Sequence, residues 1–205
     1  MESHTLTAAL RLVLIRHGET EWSLSGQHTG RTDVPLTARG EEGARALGRV
    51  LTGHPFALVL TSPRARAQRT CALAGLGAAA AIEPDLAEWD YGNYEGMRSA
   101  DIYKERPGWN IFREGCPQGE TPAQVSDRAD RLLERLRGQS GDVALFTHGH
   151  FGRVLAARWI GAPVLLGEHF TLGVASLSIL GFDPSHPETP TIALWNFDPS
   201  RSAGL

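Results

Sequence analysis

The chain has 205 residues, a formal net charge of −3 and 21% charged residues, enough for one domain with a sizeable core but without a global basic field to hold a polyanion. A nucleic-acid partner is therefore disfavoured, and no run approaches the roughly 18 uninterrupted apolar residues of a membrane span. The opening MESHTLTAAL has neither a cationic leader nor a long apolar stretch, and Cys71 and Cys116 are too few for a disulfide framework and lack metal-ligand spacing. The expectation is a cytoplasmic protein with a single domain over 1–205, with Cys71 a small core residue.

Leu10 to Ile15 reads as a buried strand, short, β-branched and apolar on both faces, and it stops abruptly at Arg16, His17 and Gly18. Beyond Thr37, Ala44, Leu47, Val50 and Leu51 recur at helical spacing, with Gly53 as a stop. Phe56 to Leu60 is another strand; TSPRARAQRT follows it and presents Arg64, Arg66 and Arg69 around a helix start. GLGAAAA reads as a loop leading into a strand. Glu83 to Gly119, rich in Trp, Tyr, Gly and Pro and poor in periodicity, reads as a long excursion over the sheet rather than a core element. Such insertions often carry substrate contacts.

A well-marked helix opens at Thr121, where a capping threonine, Pro122 and Gln124 precede one apolar stripe of Val125, Ala129, Leu132, Leu133 and Leu136. Val143 to Thr147 is a further buried strand and ends in His148, Gly149 and His150; VASLSILGF and TIALWNF, separated by DPSHPETP, close the chain as a hairpin with one antiparallel strand. Strands alternating with helices predict an α/β fold with a mostly parallel sheet.

In open sheets of this kind ligands sit at the carboxyl ends of the strands. His17 and His148 each follow a strand, so adjacent parallel strands would bring both imidazoles to one edge, with Arg64, Arg66 and Arg69 arriving from a third strand end. Clustered cations repel at a few ångströms without a ligand, and arginine forks match phosphate oxygens, so the cluster reads as a phosphate cradle with a histidine placed to attack phosphorus. Gly18 would let the backbone turn away and the ring point inward. Taken alone, a histidine after a strand is more often structural, and Arg64 and Arg69 could be solvated helix residues. His148 and His150 resemble an H-x-H metal pair but lack a carboxylate or cysteine partner.

LIRHGETEW, TGRTDVPLTARG, SPRARAQRT, LAEWDYGNYEG and FTHGHFGRVL occur in one order between about Leu10 and Gly161, and together they closely resemble the histidine phosphatase superfamily, also called phosphoglycerate mutase-like. The resemblance implies a three-layer α/β/α sandwich and a catalytic set of Arg16, His17, Arg66, Glu88 and His148. His17 would be the phosphorylated residue, Arg16, Arg66 and His148 would hold the phosphoryl group, and Glu88 would be the proton donor. It implies no cofactor and no metal, since the arginines and the second histidine supply the positive charge. The acid role requires Glu88 to carry a proton at working pH, for which Trp89 and Tyr91 would supply apolar shielding.

Within the family, WDYGNYEG, SGQHTGRTDVPLT and WNIFREGCPQGET resemble the sedoheptulose-1,7-bisphosphatase branch and related bacterial acid phosphatases. Ser23 replaces a commoner asparagine and Arg64 a commoner leucine; the serine occurs in that branch too. Ser23, Thr29, Gly30, Tyr91 and Arg153 then become the substrate-binding set, although Arg153 could instead be a surface charge. Arg153 and Arg113 are the candidates for a second phosphate. The expected partner is a small phosphorylated metabolite, probed against two alternatives: phosphoglycerate mutase and a catalytically silent phosphate-binding module. Relatives assemble as monomers, dimers or larger species, and a homodimer is one expectation.

Overall fold

The computed structural model describes residues 9–201; residues 1–8, read above for a leader, lie outside them. Six strands alternate with helices: β1 (Arg11–Arg16), α1 (Glu21–Ser25), α2 (Ala38–Leu51), β2 (Phe56–Thr61), α3 (Ala65–Leu73), β3 (Ala80–Ile82), α4 (Ser99–Glu105), α5 (Ile111–Glu114), α6 (Pro122–Leu136), β4 (Asp142–Thr147), α7 (Gly149–Trp159), β5 (Leu177–Phe182) and β6 (Pro190–Phe197). They form one sheet in the order β3-β2-β4-β1-β5-β6. The β3-β2, β2-β4 and β4-β1 pairs are parallel, while β5 is antiparallel to both β1 and β6, so β5 alone runs against the rest. Both faces of the sheet are covered.

Alternation along β1 sorts the core into two layers. Leu12 and Leu14 join Val143, Leu145 and the apolar faces of α6 and α7. Val13 and Ile15 join Ala144, Phe146, Leu47 and Leu51 of α2, and Cys71 of α3. Strands apolar on both faces are thus buried on both faces, and the result is an α/β/α sandwich. In α6 the Thr121 hydroxyl accepts from Gln124 N–H and the Gln124 side chain reciprocates, a closed capping box beneath a fully buried stripe. Helix α2 ends just before Gly53 in the left-handed region, but Val50 departs from the predicted stripe and is exposed.

The segment 83–119 differs from expectation. It contains only short helices and turns, yet Leu86, Trp89, Tyr94, Ile102, Trp109, Ile111 and Phe112 are buried in the same apolar cluster as α6 and α7. Large aromatic side chains bury area from irregular backbone, so this segment belongs to the core while showing no period. Among the described residues no helix is long and apolar enough to cross a membrane.

Candidate active site

β1 and β4 are neighbours in register Arg16↔Thr147, and the ladder continues one step further where His17 N–H donates to Thr147 O at 3.0 Å. His17 and His148 therefore leave adjacent strands at the same edge, with ring centroids 5.1 Å apart. Gly18 owes its place to contact: a Cβ there would lie 2.4 Å from Gly40 O at the start of α2. Its N–H donates to Thr70 Oγ1 at 2.9 Å, which ties this turn to α3.

His17 Nδ1 lies 2.7 Å from Gly18 O. A carbonyl can only accept, so Nδ1 carries the hydrogen and Nε2 keeps its lone pair. Burial first, and then the Arg66 and Arg16 guanidinium charges, push the His17 pKa well below its ordinary value, and the ring is a neutral base. His148 is driven the same way by burial, Arg66, His17 and Arg16.

The surrounding cations have few acceptors. Arg66 is fully buried and donates to the backbone carbonyls of Thr32 (3.0 Å), Thr29 (2.7 Å) and Gly30 (3.1 Å). Arg16 donates to Leu172 O. Arg16 Nε, Arg66 Nε and His148 Nδ1 are buried and have no acceptor among the described residues. Buried donors in that state cost free energy unless something accepts from them, and an oxyanion lodged between two guanidinium groups would do so.

Glu88 faces this cluster in a setting other than the expected apolar one. Its carboxylate accepts from the backbone N–H groups of Trp89 (2.9 Å), Phe151 (2.8 Å) and His150 (3.1 Å), the last two in the first turn of α7. Trp89 instead sends its indole into the core, where Nε1 donates to Glu120 O. Tyr91 points its hydroxyl at His150 Nδ1, 2.6 Å away.

Beyond His17 opens a cavity of about 250 Å³, lined by Trp22, Ser23, Gln27, His28, Thr29, Tyr91, Ser99, His150, Arg153 and Leu172 besides Arg16 and Glu88. Ser23 also closes the capping box of α1 with Thr20. Gly30 does not line this cavity: its N–H reaches both oxygens of Glu95 at 3.0 Å and its carbonyl is held by Arg66, which makes it part of a loop tie. Arg153 is not a surface charge. It donates to Gly167 O and Glu168 O and lies over the Phe112 ring, 4.5 Å from its centroid. Arg113, by contrast, is exposed and paired with Glu168, outside the cavity, so it is not a free cation for a second phosphate. Arg69 is likewise drawn to Glu41 at the surface.

Residues 12–198 match the histidine phosphatase superfamily (branch 1). The chain belongs to that superfamily. An acid phosphatase of Mycobacterium tuberculosis is 40% identical to this histidine phosphatase over 200 residues, 95% of this chain and 97% of the relative. A sedoheptulose 1,7-bisphosphatase of Saccharomyces cerevisiae is 37% identical over 187 residues, 75% of this chain and 69% of the relative. A solved structure of a Mycobacterium tuberculosis open reading frame superposes with a TM-score of 0.84 at 39% identity, covering 92% of this chain and 98% of that one. The fold and the phosphatase branch read from the sequence both agree with these relatives.

Other residues of this histidine phosphatase's site carried no separate signal in the sequence. Ser62 binds His148 Nε2 at 2.7 Å, and Glu95 ties the loop at Gly30 and Thr32. His28 stacks on Tyr91 with centroids 4.7 Å apart. Ser62 and His28 sit inside the motif blocks, where the neighbouring Arg66 and Thr29 draw the attention. The imidazoles of His148 and His150 go to different partners, Ser62 and Tyr91.

Proposed function

We propose that this phosphatase hydrolyses small phosphomonoesters through a phosphohistidine on His17. The observation that carries the reading is the pairing of an unprotonated Nε2, held by the Nδ1 contact to Gly18 O, with buried donors on Arg16, Arg66 and His148 that lack acceptors. Nε2 attacks phosphorus in line and forms the N–P bond while the ester P–O bond breaks. Arg16, Arg66 and His148 stabilise the equatorial oxygens.

Glu88 protonates the departing alkoxide. The proton arrives with the substrate: a phosphate ester whose second ionisation lies near pH 6 enters as the monoanion and passes its proton to Glu88. Water then attacks phosphorus, Glu88 accepts its proton, the N–P bond breaks and the electron pair returns to Nε2. Activity is accordingly favoured on the acidic side of neutrality.

The substrate class is a sugar phosphate or sugar bisphosphate. The wall of Ser23, Gln27, His28, Ser99 and His150 offers hydrogen bonds to hydroxyl groups, and Arg153 has no carboxylate partner among the described residues, which suits a second phosphate. The named activities of the acid phosphatase and sedoheptulose bisphosphatase relatives support this class. Both cysteines are free and buried, in keeping with a cytoplasmic protein.

The test is a hydrolysis panel of sugar phosphates, sugar bisphosphates, phosphoglycerates and an aryl phosphate in the presence of a chelator, with acid quenching to trap the phosphoenzyme. Wild type should yield an acid-labile phosphoprotein that His17→Ala does not. Absence of label from both proteins, with bound phosphate, would make the chain a phosphate-binding module instead; isomerisation of 3-phosphoglycerate would make it a mutase.

A further inference from the structure

His148 has one side-chain partner, and it decides what the ring can offer. His148 is fully buried at the N-cap of α7, and its Nε2 lies 2.7 Å from Ser62 Oγ, itself fully buried at the end of β2. Ser62 Oγ also accepts from the backbone N–H of Arg64 at 3.2 Å. Among the described residues no other group is placed to take the Ser62 hydroxyl hydrogen.

Two arrangements are possible for this pair. If Nε2 carried the hydrogen, the serine would accept from both sides, its own hydrogen would have no acceptor in a fully buried position, and the Nδ1 lone pair would face incoming phosphate oxygens. Both consequences are unfavourable. If the serine donates to Nε2, every hydrogen of the Arg64–Ser62–His148 chain is used, and Nδ1 carries the one that is left. That Nδ1 is the buried ring atom without an acceptor, 5.1 Å ring to ring from His17.

We propose that Ser62 is a positioning residue that fixes His148 in the tautomer with its hydrogen on Nδ1, so that a neutral imidazole donates a hydrogen bond to the transferring phosphoryl group. The inference rests on the phosphatase reading and adds to it the state of its second histidine. His148 then supports the transition state as an oriented dipole, while Arg16 and Arg66 carry the formal charge. It also explains how two histidines can stand beside two guanidinium groups: neither ring adds a third positive charge to the cluster. Burial and the neighbouring arginines disfavour the imidazolium in the same direction.

The test uses the full chain labelled with ¹⁵N. Long-range ¹H–¹⁵N correlation of the His148 ring in wild type should show a protonated Nδ1 and an unprotonated Nε2, and inorganic phosphate should move the Nδ1–H signal. Ser62→Ala should shift the ring toward the Nε2–H tautomer and lower kcat by about ten- to a hundredfold, as loss of an outer hydrogen-bond partner does in other sites. Ser62→Thr, which keeps the hydroxyl, should retain the wild-type tautomer and recover most of kcat. A wild-type ring protonated at Nε2, or at both nitrogens, overturns the proposal whatever the variants do. So does an unchanged tautomer and kcat in Ser62→Ala. A wild type with the predicted tautomer but no phosphoenzyme and no hydrolysis would sink the phosphatase reading while leaving the Ser62–His148 geometry standing, so the two failures are distinct.

Discussion

Replacing a carboxylate in a functional site often stabilises a protein, but Glu88→Ala should do the opposite here. The side chain is buried, and its oxygens accept three backbone N–H groups, from Trp89, His150 and Phe151, at 2.8–3.1 Å. Hydrogen bonds to a charged acceptor contribute about 1.5–3 kcal/mol each, and an orphaned buried donor costs about 1–3 kcal/mol. The His150 N–H borders the cavity and can be rehydrated, so Trp89 and Phe151 carry the loss. To this is added the interaction of the carboxylate with the positive end of α7, about 0.3–1 kcal/mol. Water entering the vacated space offsets part of the total, which leaves a destabilisation of about 2–4 kcal/mol, or roughly 4–16 °C in Tm for a chain of this size. Glu88→Gln keeps one carbonyl acceptor and should lose about half as much. Urea titration of the three proteins at neutral pH, compared at equal m-values, measures the difference. A Glu88→Ala variant as stable as wild type, or more so, would show that the cradle is not what holds the first turn of α7 to the turn at 88–89.

Acidification should destabilise the protein through its buried imidazoles. Burial pushes His28 down to about 4 and His17, His148 and His150 well below their ordinary value. The unfolded chain takes up those protons near pH 6.5, so stability is full above that pH and falls as pH drops toward 4, by up to about 1.4 kcal/mol per unit for each ring; a Tm that stays level between pH 7 and 5 would contradict it. Gly18→Ala drives a methyl to 2.4 Å from Gly40 O and must displace α2 or the turn after His17, with an expected cost above about 2 kcal/mol, read by thermal melting alongside phosphoenzyme formation. Arg153→Ala should raise KM for a sugar bisphosphate about tenfold more than for the matching monophosphate, whereas Arg113→Ala should leave that ratio unchanged, because Arg113 is held outside the cavity by Glu168.

Much of the architecture was legible because its signals are local. β1 and β4 read as buried strands since every residue between Leu12 and Ile15, and between Val143 and Phe146, is apolar, and an interior parallel strand demands that. The capping box at Thr121 and the left-handed Gly53 gave helix ends for the same reason. What escaped depends on contacts between distant residues. Segment 83–119 buries Trp89, Trp109 and Phe112 from turns, so no period betrays it. The surroundings of Glu88 differ from the shielding by Trp89 and Tyr91 that the sequence suggests, because two of its three backbone donors come from α7, more than 60 residues on. Arg113 and Arg153 look alike in the chain, and only the position of Glu168 separates an exposed ion pair from a cavity wall.

The extra rung by which His17 N–H bonds Thr147 O makes the His17 backbone the last step of the central β1–β4 ladder. Its amide hydrogen should therefore exchange with solvent only when the two innermost strands part, whereas the amides of Tyr94, Glu95 and Met97, bonded within turns, should open locally. On the phosphatase reading, the phosphoryl end of a substrate meets strand ends of the central sheet, while the wall at Trp22, Gln27, Thr29 and Ser99 is built from short helices and loops. One reaction can thus be kept while the leaving group is changed.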